Sequence, residues 1–185
     1  MKIKQTKNKP IKTTILVVGL LLGSSQLIAG EAHEHGTADL QMALEVEQLQ
    51  IVFKSPAMNL LGFEHAPQSD EEKQVFAAVA EQLKSPSALI APAGCDLVSM
   101  DVDMPEGAED DHDEHGDEEH EHHHADISAS YVYQCSESAP DITVTLGLMQ
   151  TYPSMQHLRV AWVSDQFQGG MTLTPEDDQW IKLTH

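Results

Sequence analysis

The chain has 185 residues, with ten Lys and Arg against thirty Asp and Glu and a formal net charge of −20. So acidic a balance repels phosphate backbones, which excludes nucleic acid as a partner, and it concentrates cations around the molecule. The length leaves room for one modest hydrophobic core and one domain.

Residues 1–29 read as a signal peptide. Lys2, Lys4, Lys7, Lys9 and Lys12 form a positive start, Ile15 to Gly23 is an apolar run, and Ser24, Ser25, Ala29, Gly30 and Ala32 supply small residues for cleavage after Ala29 or Ala32. The apolar run is too short to span a bilayer, so no stable membrane insertion is expected once the leader is cut. Five of the ten basic residues leave with it, which takes the mature net charge to about −25. Residues 30–185 then form a single domain.

Its first element is "TADLQMALEV", where Ala38, Leu40, Met42, Leu44 and Val46 alternate with mostly polar neighbours, the period of a half-buried strand. "LQIVF" continues the alternation after a short polar break and suggests a hairpin. "SPAMNLLGFEH", Ser55 to His65, reads as a loop or single turn with Gly62 at a tight bend. Ser69 and Glu72 have the spacing of a capping box, and Val75, Phe76, Val79 and Leu83 form an apolar stripe, which predicts a helix that Pro86 stops.

"CDLVSMDVDM" predicts a strand ending at Pro105, and "DISASYVYQC" resumes strict alternation from Ile127 to Cys135. If the two pair, residues 106–125 are a long insertion at a hairpin tip. Cys95 and Cys135 lie in an exported chain, so a disulfide is expected between them, closing the base of that insertion. Beyond Pro140, "ITVTLGL", "HLRVAWV", "GGMTLT" and "WIKL" read as short strands with turns at Pro153, Gly169–Gly170 and Pro175. The expected fold class is α+β, mostly antiparallel β-sheet with one main helix and a disordered His/Asp/Glu-rich insertion.

That insertion holds the chemistry. His112, His115, His120, His122, His123 and His124 are interleaved with Asp110, Asp111, Asp113, Glu114, Asp117, Glu118, Glu119 and Glu121. A charge run of carboxylates alone would be a solvated linker. Imidazole nitrogen with carboxylate oxygen is instead the ligand set of Zn²⁺ and neighbouring divalent metals. "HEHHH" formally matches the zinc-protease string H-E-x-x-H, but its acidic flanks give no core-facing helix, so the match is a by-product of composition. No nucleophile–base order or phosphate loop suggests an enzyme. Met42, Met58, Met149, Met155 and Met171 read as core filler rather than a thioether copper site.

Outside the tract, His33 and His35 in "HEHG" would project to one side of an extended chain. His65 closes "GFEH" beside Glu64, and Asp126 stands with His124 at the tract's exit. A fixed metal site using some of His33, His35 and His65 is a second expectation; His157 and His185 read as ordinary histidines.

"HEHGTADL", "SPAMNLLGFEH", "APAGCDL", the His/acid insertion, "HADISASYVYQC" and "TYPSMQHLRVAWV" together resemble the bacterial periplasmic zinc-binding proteins of the ZrgA type, over nearly all of the chain after the leader. The resemblance implies a soluble periplasmic zinc-binding protein that supports zinc uptake, with Zn²⁺ as ligand and a zinc importer of the inner membrane as the partner it implies. The alternative is a metal buffer or detoxification protein for zinc, copper or nickel without a delivery role, since copper outcompetes zinc at such ligands. A structural periplasmic module with the tract as a linker is a third class.

Overall fold

The computed structural model describes residues 34–105, 125–136 and 141–184. Strand β1 (Thr37–Glu45) buries Ala38, Leu40, Met42 and Leu44, and β2 (Gln48–Pro56) buries Leu49, Ile51 and Phe53. Their antiparallel register sets Leu40 opposite Phe53, Met42 opposite Ile51 and Leu44 opposite Leu49. One face of the hairpin is thus wholly apolar, as the alternation predicts. The connection turns at Val46, which has φ +52° and lies exposed.

After β2 the chain makes a one-turn helix, α1 (Ala57–Leu61), closed by Gly62 at φ +83°, whose N–H donates to Met58 O at 3.1 Å. The left-handed Gly at the helix end is the device that lets the chain reverse there. Helix α2 (Asp70–Lys84) follows, with the complete capping box of Ser69 and Glu72. Val79 and Leu83 are buried, and Val75 and Phe76 pack partly buried against the core. A 3-10 turn at Pro86–Ala88 ends that segment.

The remaining strands are β3 (Ile90–Pro92), β4 (Cys95–Asp103), β5 (Asp126–Cys135), β6 (Asp141–Leu146), β7 (His157–Ser164), β8 (Gln168–Leu173) and β9 (Trp180–Thr184). They form two sheets: a six-stranded one in the order β4-β5-β2-β1-β7-β8, and a three-stranded one in the order β3-β6-β9. One core joins them, with Ile90, Ile142, Val144, Leu146, Ile181 and Leu183 clustering with the apolar face of β1, β2 and β5. Three tyrosine hydroxyls entering this core each find an acceptor. Tyr131 donates to Leu83 O at 2.8 Å, Tyr152 to Gln82 Oε1 at 2.8 Å, and Tyr133 to Ile90 O at 3.4 Å. Burial pushes Tyr152 up to about 12 and raises Tyr131 and Tyr133 as well, so all three remain neutral donors.

The α+β reading with mostly antiparallel sheet fits; two features are missed in the sequence and one turn is corrected. β1 and β7 pair in parallel, from Thr37 opposite His157 to Leu44 opposite Ser164. A further one-turn helix, α3 (Leu148–Thr151), stands where no helix is expected. Gly169–Gly170 is not a turn but lies inside β8, where any Cβ at Gly169 would run into the Trp162 ring on the neighbouring strand. The glycine there makes room for an indole.

β4 and β5 do pair, and the disulfide between Cys95 and Cys135 forms. It lies at the opposite end of the ladder from the insertion, since the last pair before residues 106–125 is Asp103 with Ser128. The expectation that the disulfide closes the insertion's base is therefore corrected. Cys95 opens β4 and Cys135 ends β5, so the bridge secures the hairpin's open end.

Candidate functional site at one end of the sheet

Strand direction gathers the metal-ligating candidates. β1 starts at Thr37 against the end of β2, β2 ends against Asp126 of β5, β4 ends against Ser128, and β7 starts beside Thr37. One end of the six-stranded sheet therefore carries four features: the turn holding His35, helix α1 with "GFEH" after it, both described flanks of the tract, and His157. The disulfide is at the other end.

Local hydrogen bonds lock these segments together. Ala57 N–H donates to Ala125 O at 2.8 Å, and Lys54 Nζ pairs with Asp126 Oδ2 at 2.9 Å, so the tract's exit is tied to the start of α1. Asn59 of α1 is buried. Its Oδ1 accepts from Gly36 N–H at 2.7 Å, while its Nδ2 donates to Thr37 O at 2.9 Å and Ser55 Oγ at 3.0 Å. The Gly36 carbonyl in turn accepts the N–H groups of Gln156 and His157 at 2.7 and 2.9 Å. Two sequence strings far apart in the chain, "HEHG" and "SPAMNLLGFEH", thus form one structural unit.

His35 sits in a turn, with Thr37 N–H donating to Glu34 O at 3.0 Å, rather than in the extended chain that would align it with His33. Its Nε2 lies 2.8 Å from Glu64 Oε1. His65 is held on two sides. Its ring stacks on Phe63, with centroids 5.2 Å apart and planes at 24°, and its Nδ1 lies 2.9 Å from the carbonyl oxygen of Ala66. A carbonyl only accepts, so Nδ1 is the donor of that bond and Nε2 is the nitrogen left for other partners. That nitrogen faces Glu72 Oε1 at 3.8 Å.

Glu72 divides its two oxygens. Oε2 accepts the backbone N–H groups of Gln68 at 2.7 Å and Ser69 at 3.0 Å. Those backbone donors, Ser69 first and Gln68 next, hold its carboxyl below the usual carboxylate range. Glu72 is recognisable in the sequence as a capping residue only; its second role depends on the loop returning His65 to the helix start. Asn59 offers no imidazole, thiolate or carboxylate and is likewise missed.

Of the predicted ligands, His35 and His65 are therefore placed at this end, each beside a glutamate. His33, His112, His115, His120, His122, His123 and His124 lie outside the described residues. Among the described residues, no three His, Cys, Asp or Glu side chains form a group able to hold a metal ion, so His35 and His65 do not build a complete site with their neighbours. The same residues contain no helix long and apolar enough to cross a membrane.

No curated protein matches the chain. A family model described as "ZrgA family zinc uptake protein" matches residues 32–181, nearly everything beyond the N-terminal leader expected from the sequence. That span takes in the six-stranded sheet, the smaller sheet up to the start of β9, both histidine-bearing strings and the His/acid tract, and the chain belongs to the ZrgA family of zinc uptake proteins.

Proposed function

We propose that the protein is exported to the periplasm, captures Zn²⁺ through the His/acid tract at residues 106–125, and supports zinc uptake by passing the ion on toward an inner-membrane importer. Zinc is cargo here, and no catalysis is involved. Neutral imidazoles of the tract supply nitrogen ligands, while its carboxylates attract the cation and complete the shell. The observation that carries this reading is the position of the tract's two flanks. Pro105 and Ala125 stand at the sheet end where His35 and His65 already face carboxylates, and the Ala57–Ala125 bond anchors that end to α1. Six histidines in so short a stretch of an acidic chain, within a zinc uptake family, support zinc as the ligand.

Calorimetric zinc titration of the intact mature chain and of a variant lacking residues 106–125 tests the reading. Most of the bound zinc is expected to disappear with the tract; unchanged stoichiometry would refute capture there. Because each imidazole must lose its proton to bind, affinity of the intact chain should fall as the pH drops below about 6.5.

A further inference from the structure

We propose that His65 Nε2 and Glu72 Oε1 form a fixed two-point Zn²⁺ site on the folded domain, distinct from the tract. The inference deepens the capture reading and takes from it only the choice of zinc.

Three observations converge on this pair. The first is direction: Nδ1 of His65 is engaged by Ala66 O, so Nε2 is the ring nitrogen left facing Glu72, and in the neutral ring that nitrogen carries the lone pair a metal needs. In that form two acceptors face one another, an arrangement that a cation between them resolves. The second is distance. At 3.8 Å the atoms are too far apart for a hydrogen bond. Nitrogen and oxygen ligands of a tetrahedral Zn²⁺ stand about 3.4 Å apart, given the usual bond lengths, so a closure of a few tenths of an ångström would suffice.

The third is preorganisation. The Phe63 ring fixes the plane of the imidazole, and the Gln68 and Ser69 N–H groups hold the other carboxylate oxygen of Glu72. Little side-chain freedom remains to be lost on binding, and the hydrogen bond at Nδ1 has the form by which outer-shell partners orient ligating histidines. Two protein donors leave two coordination positions for water or for an incoming ligand. Such a site suits exchange of zinc rather than storage.

The test uses the full mature chain, labelled with ¹⁵N, with zinc ion added alone at neutral pH while the imidazole nitrogens are followed by NMR. His65 Nε2 is expected to shift as a metal-bound nitrogen while Nδ1 keeps its proton. Glu72→Gln should weaken zinc at His65 at least tenfold. Gln also serves in a capping box, so the helix should persist, which circular dichroism checks. The proposal is overturned if His65 stays unmoved while other histidines saturate, or if Glu72→Gln leaves its affinity unchanged. The former needs no variant. Failure of the capture reading looks different: His65 would respond while the tract histidines stayed silent.

Discussion

Asn59 in α1 reaches both neighbouring segments with one short amide. Sealed from solvent, it satisfies the Gly36 N–H, the Thr37 carbonyl and the Ser55 hydroxyl at once. Alanine there would take this partner from the partly buried Gly36 N–H and the buried Thr37 carbonyl, and leave Ser55 Oγ only its bond to Pro56 O. Each buried group left unpaired costs about 1–3 kcal/mol. Asn59→Ala is therefore expected to lower stability in urea unfolding by about 3 kcal/mol, and to free the His35 turn so that amide exchange at Gly36 speeds up. A variant with wild-type stability would show that the turn and α1 are held by something else. At this scale the sequence is only partly readable. His35 and His65 stand out by residue type, but Asn59 and the second role of Glu72 depend on contacts across the fold. The tautomer of His65 depends on a backbone carbonyl that no sequence pattern marks.

Elements are more legible, and the reason is local. A strand half buried in a sheet writes its period into the chain, as Leu40, Met42 and Leu44 do in β1 and Ile127, Ala129, Tyr131 and Tyr133 do in β5. A capped helix announces its start through Ser69 and Glu72. Pairing between distant strands leaves no such trace: the parallel partnership of β1 and β7 is sealed by Arg159, which grips Asp39 with two hydrogen bonds across 120 positions. Gly169 misleads because a Gly pair is the common mark of a turn, whereas here it clears space for Trp162. The β1–β2 connection carries a different signal of its own. Val46 is β-branched yet held at φ +52°, a conformation that costs such a side chain of the order of 1 kcal/mol or more. Asn tolerates that region, so Val46→Asn should raise stability by about 1 kcal/mol in urea unfolding, with no change in zinc stoichiometry. A loss of stability would mean that the exposed valine contributes more through contacts than it costs in strain.

The whole molecule separates its staple from its candidate metal-binding end. β4 and β5 run between them, with Cys95 and Cys135 at one end of the ladder and Asp103, Ser128 and the tract's flanks at the other. The disulfide closes a loop with a sequence separation of 40, worth about 4 kcal/mol in the chain-entropy model. That stabilisation comes from restricting the unfolded chain, so it reaches the metal-binding end only through global stability. The geometry beneath the tract is supported separately by the β2–β5 ladder, the Ala57–Ala125 bond and the Lys54–Asp126 pair. Replacing both cysteines by serine removes the bridge and also prevents free thiolates from acting as new zinc ligands. The double variant should unfold at markedly lower urea, with a loss approaching 4 kcal/mol in the same model. Where circular dichroism shows it still folded, it should bind as much zinc as the parent. A folded variant with reduced zinc stoichiometry would show instead that the two ends are coupled through the β4–β5 hairpin. In that case the disulfide would belong to the capture apparatus as well as to the fold.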